Sequence, residues 1–398
     1  MARNTEGRDV VIVGAARTAI GGFGGALKDV PLTSLATEAV RAALSRSGAD
    51  PDTIGHVVMG NVIPTEPADA YLSRVAAIES GIPKETPSFN VNRLCGSGLQ
   101  AIISAAQAIQ LGDTDLAIGG GAESMSRSPY LAQGVRLGQK MGDTRFTDYM
   151  LGILHDPFHK MHMGITAENV AERWGITREM QDMLAVESHR RAACAIAEGR
   201  FHDQIAPIEL ASRHSTTIFD KDEHVRPDTS LETLAAMKPV FKKDGTVTAG
   251  NASGINDGAA AVVLADAKRA IASGLTPLAR LVGYAHAGVA PELMGIGPVP
   301  ATRKVLERTG INIRDIDVIE SNEAFAAQAC AVAKELDFDP AKVNPNGSGI
   351  SLGHPVGATG AIITVKAIHE LHRIKGRYAL VTMCIGGGQG IAAIFERV

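Results

Sequence analysis

Three short stretches carry residue types suited to nucleophilic chemistry. Val91-Asn92-Arg93-Leu94-Cys95-Gly96-Ser97-Gly98 sets a cysteine between a polar extended segment and small residues, just before an alanine-rich helical pattern. A cysteine is often an inert buried hydrophobe. Here the low bulk of Gly96, Ser97 and Gly98 lets a ligand approach. The amides opening the next helix would lie near the sulfur, favouring the thiolate and lowering its pKa. Residues 346–360, N-G-S-G-I-S-L-G-H-P-V-G-A-T-G, hold His354 in a Gly/Pro turn before a second helix, a setting suited to a general base. Residues 383–390, M-C-I-G-G-G-Q-G, end a hydrophobic strand at Cys384, and the amides of the glycine run are able to hold an oxyanion. Asn322, in Ser321-Asn322-Glu323-Ala324-Phe325, follows the strand pattern Val318–Ile319 and is able to orient a water or donate a hydrogen bond.

Two competing readings attach to these stretches. Gly96-Ser97-Gly98-Leu99-Gln100-Ala101 fits G-x-G-x-x-A, a dinucleotide fingerprint, with Glu123 further on at a strand end. The segment Phe89 to Leu94 is too polar for the central parallel strand that fingerprint needs, and the fingerprint has no use for Cys95. His155, His159 and His162 have the spacing of a metal site on a helix, but Pro157 interrupts that helix. We expect no metal there.

The elements that must position these residues read as alternating strands and helices. Strand patterns lie at Val10–Val13, His56–Gly60, Leu116–Ile118, Ala259–Leu264, Ala279–Val282, Val318–Ile319 and Tyr378–Met383. Helical patterns lie at Thr33–Ser45 and Ala101–Leu111. The alternation implies an α/β fold with buried sheets. From about Ser124 to Lys243 the chain is richer in Met, His and charged residues, with helical patterns at Ala167–Trp174 and Thr177–Glu198. We read residues 124–243 as an insertion packed over the sheet domain, within a first half made of residues 1–123 and 244–275. Residues 276–398 form the second half. A repeat supports the halves: Ala101-Ile102-Ile103-Ser104 and Ala361-Ile362-Ile363-Thr364 each open a helix after a glycine, and Gly119–Gly121 and Gly386–Gly388 each follow a strand.

The 398 residues suffice for a sizeable core, and 45% hydrophobic with 21% charged residues is the balance of a globular protein. A formal net charge of −4 marks no nucleic-acid or membrane surface. The four cysteines are widely spaced with no C-x-x-C, which argues against a zinc site or disulfide scaffold. Neither a secretory signal nor a membrane span is visible, and a cytoplasmic location is expected.

Six motifs in order, V-N-R-L-C-G-S-G, H-M-G-I-T-A-E-N-V-A, T-A-G-N-A-S-G-I-N-D-G-A-A-A, N-E-A-F-A, G-H-P-V-G-A-T-G and C-I-G-G-G-Q-G, make the chain resemble the thiolases over essentially its whole length. The likeness is greatest to bacterial β-ketothiolases of broad chain length. One departure is G-S-G-I-S-L-G-H-P where many thiolases have G-G-A-I-A-L-G-H-P; Ser351 is conservative in size. The resemblance implies a five-layer αβαβα fold of two duplicated halves, with residues 124–243 as a loop domain inserted in the first over the active site, and a homotetramer (a dimer of dimers). It implies reversible thiolysis of 3-ketoacyl-CoA by CoA, giving acetyl-CoA and a shortened acyl-CoA, with no cofactor beyond these substrates. Such chemistry serves fatty acid metabolism or polyhydroxyalkanoate precursor synthesis, and the direction stays open. Cys95 would be acylated, His354 would take its proton, and Cys384 would handle the α-proton. His354 with an Asn322-held water would form one oxyanion hole, and the amides of Cys95 and Gly386 the other. Leu154, His162, Met163, Phe241, Ala249, Ser253, Met294 and Phe325 would line the CoA tunnel, with Arg226 at its nucleotide end. Two rivals remain. A decarboxylating ketosynthase would pair its cysteine with two histidines, whereas Cys384 stands in a C-x-G. A non-catalytic acyl-CoA-binding relative would have lost reactive residues.

Overall fold

The structure, a computed structural model, describes residues 7–211 and 215–398. Residues 1–6 of the expected first half and 212–214 of the expected insertion lie outside them. The chain opens with β1 (Val10–Thr18), α1 (Leu32–Ser47), β2 (His56–Gly60), α2 (Leu72–Glu79), β3 (Ser88–Val91), α3 (Ser97–Gln110) and β4 (Leu116–Ser124). It then leaves the sheet for a long excursion that contains α4 (Met163–Trp174) and α5 (Arg178–Ala197), and returns as β5 (Asn256–Asp266). The rest is β6 (Ala279–Gly288), α6 (Pro298–Thr309), β7 (Ile316–Ser321), α7 (Ala326–Glu335), α8 (Thr359–Ile374), β8 (Tyr378–Ile385) and β9 (Gln389–Arg397).

The strand order shows the duplication. The first half runs β1-β5-β4-β2 with β3 at the edge, and the second runs β6-β9-β8-β7. In each, the last two strands of that order are parallel and the other neighbours antiparallel. Each also carries a register shift at a Val-Gly pair: β1 at Val13–Gly14 and β6 at Val282–Gly283. The halves join where β1 meets β6 antiparallel, with Val11 opposite Arg280 and Ile12 opposite Ala279. Counted from the two bulges, Val11 and Arg280 are equivalent positions. An approximate dyad therefore passes between them.

Apolar periodicity fixes the layers. One face of the first sheet packs on α1 and α2 through Leu35, Ala39, Val40, Val57 and Val263. One face of the second sheet packs on α6 and α7 through Val299, Val305, Ala331, Val332, Leu380 and Ile394. The inner faces share α3 and α8, whose Ile102, Ile103, Ile362 and Ile363 are buried. Burying each such side chain contributes about 1.5–3 kcal/mol. The result is five layers, αβαβα. The two central helices touch at their first turns. A Cβ on Gly98 would lie 2.7 Å from Ala361 N, and one on Gly360 would lie 2.4 Å from Leu99 N. Only glycine permits this approach.

Strand β4 runs on through Gly119–Gly121 to Ser124, beyond the expected end at Ile118. The glycines belong there because α3 lies on the backbone: a Cβ on Gly119 would sit 2.5 Å from Ile102 Cα. Gly386–Gly388 instead form the turn between β8 and β9, so the two glycine triplets are not equivalent. The polar segment at Ser88–Val91 is an edge strand, which explains its composition. The excursion is tied to β1 by Arg17, whose buried guanidinium donates to both Asp222 carboxylate oxygens at 2.7 and 2.9 Å. Removing either partner would strand a buried charge at a cost of about 3–5 kcal/mol.

Candidate active site

The turn before α3 is knotted by short polar bonds. Asn92 Oδ1 accepts from Leu94 N at 2.9 Å, and Ser97 Oγ accepts from Arg93 N and donates to Leu94 O. These bonds hold Leu94 at φ 47°, a left-handed conformation that costs a leucine about 1–2 kcal/mol. The next residue, Cys95, is thereby turned onto the wall of an apolar cavity of about 270 Å³.

That cavity gathers the chemistry. Cys95, His354, Cys384 and Gly386 line it together. So do Leu154, His162, Met163, Phe241, Ser253, Met294 and Phe325. Arg226 and Ala249 line a second chamber, with Ala252 shared between the two. Asn322 is buried behind the first cavity, its Nδ2 3.4 Å from His354 Nε2. The first chamber takes Cys95 and His354 from turns in the two halves and Cys384 from the end of β8.

The electrostatics differ from the sequence expectation at Cys95. The helix N-terminus argued for a lowered pKa. Burial instead pushes the thiol up to about 11, with nearby Glu123 adding to the rise. The backbone N–H groups of Gly386 and Cys95 itself act against burial. Those two N–H groups favour the thiolate. Cys384 is buried among Met163, Met294 and Ala324, and burial followed by proximity to Cys95 drives its pKa well up. His354 is held down at about 4 by burial alone. At neutral pH the site is two thiols and a neutral imidazole.

The tautomer of that imidazole follows from its neighbour. Thr359 Oγ1 donates its only hydrogen to Pro355 O at 2.9 Å. It lies 2.7 Å from His354 Nδ1, so Nδ1 carries the proton and donates. Nε2 is then the unprotonated nitrogen, and its lone pair accepts from Asn322 Nδ2 at 3.4 Å.

The histidines of the 155–162 stretch do not converge on one point: His155 and His162 meet edge to face at 5.2 Å, and His159 turns elsewhere. His162 caps α4, accepting from Gly164 N, and stacks on Phe241 at 4.6 Å. His155 donates from Nδ1 to Leu151 O at 2.6 Å, and His159 meets Glu292. Among the described residues no group of three His, Cys, Asp or Glu side chains is arranged to hold a metal. Glu123, which the dinucleotide reading would place on a ribose, is buried and accepts four N–H bonds. No helix among the described residues is long and apolar enough to cross a membrane.

The sequence matches the thiolase N-terminal domain over residues 10–268 and the thiolase C-terminal domain over residues 275–397. The chain belongs to the thiolase family. This thiolase is 64% identical to the beta-ketothiolase BktB of Cupriavidus necator, over 98% of its own length and 100% of the relative's. It is 48% identical to an acetyl-CoA acetyltransferase of Pseudomonas aeruginosa, again over 98% and 100%. Human mitochondrial 3-ketoacyl-CoA thiolase superposes with a TM-score of 0.96 at 46% identity, covering 98% of this chain and 99% of that one. The same human enzyme in complex with CoA gives a TM-score of 0.95.

Several residues of this thiolase's site were missed from the sequence. Val62, Met125, Ile255 and Val356 wall the first cavity, and His189 and His224 stand beside Arg226 in the second. Thr359 lay inside the quoted G-H-P-V-G-A-T-G run, and its place five residues after His354, on the first turn of a helix, was the available signal. The aliphatic wall residues had none, because a buried valine reads the same in a cavity as in a core.

Proposed function

We propose that this thiolase is a β-ketothiolase that cleaves 3-ketoacyl-CoA with CoA, or runs the Claisen condensation in reverse, through an acyl-Cys95 intermediate. The observation that carries the reading is the convergence on one cavity of two cysteines, a neutral histidine and Gly386 of the glycine turn.

Since Cys95 is a thiol at rest, its proton leaves as the sulfur attacks. His354 Nε2 is the acceptor. Attack at the 3-keto carbon puts negative charge on that oxygen, which the Cys95 and Gly386 amides stabilise. The C2–C3 bond then breaks, and its electron pair becomes the enolate of acetyl-CoA. By then His354 is a cation with a proton on Nε2, suited to donate to the enolate oxygen. A water held by Asn322 completes that hole. Cys384 protonates the enolate carbon, giving acetyl-CoA. The thiol of incoming CoA attacks the acyl-Cys95 thioester, the Cys384 thiolate takes its proton, and the Cys95 sulfur departs and is reprotonated by the His354 cation. In condensation the same steps reverse, and Cys384 removes the α-proton.

The cavity walls support a broad acyl range. Met125, Met163 and Met294 are unbranched and repack around different shapes. We take the second chamber, with Arg226, His189 and His224, as the path for the nucleotide end of CoA. The segment 124–243 acts as the inserted loop domain over the site. The chain works without a cofactor, in the cytoplasm, as a homotetramer. Mass spectrometry after mixing with acetyl-CoA tests the central claim: an acetyl adduct on Cys95 supports it, and an adduct on another cysteine overturns it. Kinetics on 3-ketoacyl-CoAs of graded length test the acyl range. A collapse of kcat/KM by orders of magnitude at five carbons would show a closed wall.

A further inference from the structure

We propose that Glu123 and Asn256 are positioning residues, through which the first half sets His354, a residue of the second half, against Cys95. This rests on the proton-transfer role assigned to His354 above. Glu123 and Asn256 stand on adjacent strands, β4 and β5, where Glu123 pairs with Gly258. Both are fully buried. Asn256 Oδ1 accepts from His354 N at 3.0 Å, and its Nδ2 donates to Gly21 O at 3.0 Å. Glu123 Oε2 accepts from Gly357 N at 2.7 Å and Val62 N at 3.1 Å. Its Oε1 accepts from Asn61 Nδ2 at 2.8 Å and Ile63 N at 3.0 Å.

The loop that carries His354 is thus held on both sides by side chains from the other half. There is no slack at either grip. A Cβ on Gly353 would lie 2.4 Å from Asn256 Cγ, and one on Gly357 would lie 2.5 Å from Glu123 Oε2. The same carboxylate fixes Val62, on the loop after β2, and sits one residue from Val356; both valines wall the cavity. Four N–H groups face it, so an acceptor-only head group matches its surroundings. Burial works against that form, pushing the pKa to about 8, and the Ile63, Gly357 and Val62 amides oppose the rise. An amide in place of the carboxylate would turn an N–H donor toward another donor. Displacing a reacting group by about 1 Å is enough to cost on the order of a hundredfold in rate.

The test uses the full-length enzyme with Glu123→Gln, Glu123→Asp, Asn256→Ser and His354→Ala, each assayed for thermal melting, kcat and KM for CoA. The expected result for Glu123→Gln is a cooperative melt, a KM for CoA within about twofold of the parent, and a kcat down about a hundredfold. Glu123→Asp, which keeps an acceptor-only head group, should recover at least about a tenth of parental kcat. Asn256→Ser removes the acceptor for His354 N and should show the same split of kcat from KM. It carries the test if Glu123→Gln does not fold. A folded Glu123→Gln or Asn256→Ser with kcat within about threefold of the parent overturns the proposal. So does a joint change in kcat and KM for CoA, a Glu123→Asp no faster than Glu123→Gln, or the failure of both first-choice variants to fold, since each marks general packing. Full activity in His354→Ala would instead overturn the role of His354 itself, a separate result.

Discussion

Replacing Thr359 with valine removes one hydroxyl from a nearly isosteric side chain, and its effect can be worked from two bonds. His354 Nδ1 and Thr359 Oγ1 are 2.7 Å apart, and both residues are buried. Valine leaves the Nδ1–H without an acceptor, and an unsatisfied buried donor costs about 1–3 kcal/mol. That cost falls on the tautomer the reaction needs. The alternative tautomer, with hydrogen on Nε2, has no lone pair there to take the Cys95 proton. At about 1.4 kcal/mol per tenfold in rate, the loss in kcat should lie between about fivefold and 150-fold. The assay is initial rate against 3-ketoacyl-CoA at saturating CoA. KM for CoA should hold, because Thr359 lines neither chamber. Thr359→Ser keeps the hydroxyl and should stay within about threefold of the parent. A valine variant as fast as the parent, or a serine variant as slow as the valine, would refute the tautomer argument.

Cys384→Ala should still accept an acetyl group on Cys95 but fail to exchange the α-proton of acetyl-CoA with deuterium; unchanged exchange would sink the separation of roles. His354 and His369 are each held down at about 4, chiefly by burial, and so are His189 and His286. Between pH 6.5 and 4 the unfolded chain therefore binds more protons than the native one, so stability is intact above about 6.5 and falls as the pH drops toward 4. Melting temperatures across that window check the sign, and a flat profile would contradict it. Gly360→Ala forces a methyl group to within 2.4 Å of Leu99 N at the crossing of α3 and α8 and should destabilise by about 1–3 kcal/mol in urea titration. An unchanged midpoint would mean the two helices have room to separate.

The site was legible where chemistry and backbone permission coincide. Cys95 and His354 each sit in a turn, and Cys384 at a strand end, beside glycines that announce a close approach, and all three line the same cavity. The ionisation of Cys95 was not legible, because it depends on what covers the sulfur. The helix end is local to residues 95–98, whereas the burial that outweighs it comes from the second half and the excursion. Glu123 was visible only as a carboxylate at a strand end. Its four donors come from residues 61–63 and 357, and no local pattern could supply them. The Val-Gly bulges of β1 and β6 escaped the repeat search for a different reason. A bulge belongs to backbone pairing, and two residues in common are too few to stand out.

The approximate dyad near Val11 and Arg280 has a bearing on how such a site could arise at all. It makes the turn before α3 and the turn before α8 mirror positions around one centre, with the first turns of both helices in contact there. Two identical chains meeting on a true twofold axis must present the same residue from both sides: thiol facing thiol, or imidazole facing imidazole. Joining the copies into one polypeptide lifts that restriction. Each turn is then encoded once and can change without its twin, so a proton donor can face a proton acceptor across the axis. Fusion of the two copies is thus what allows one asymmetric acid–base pair in place of two matched half-sites.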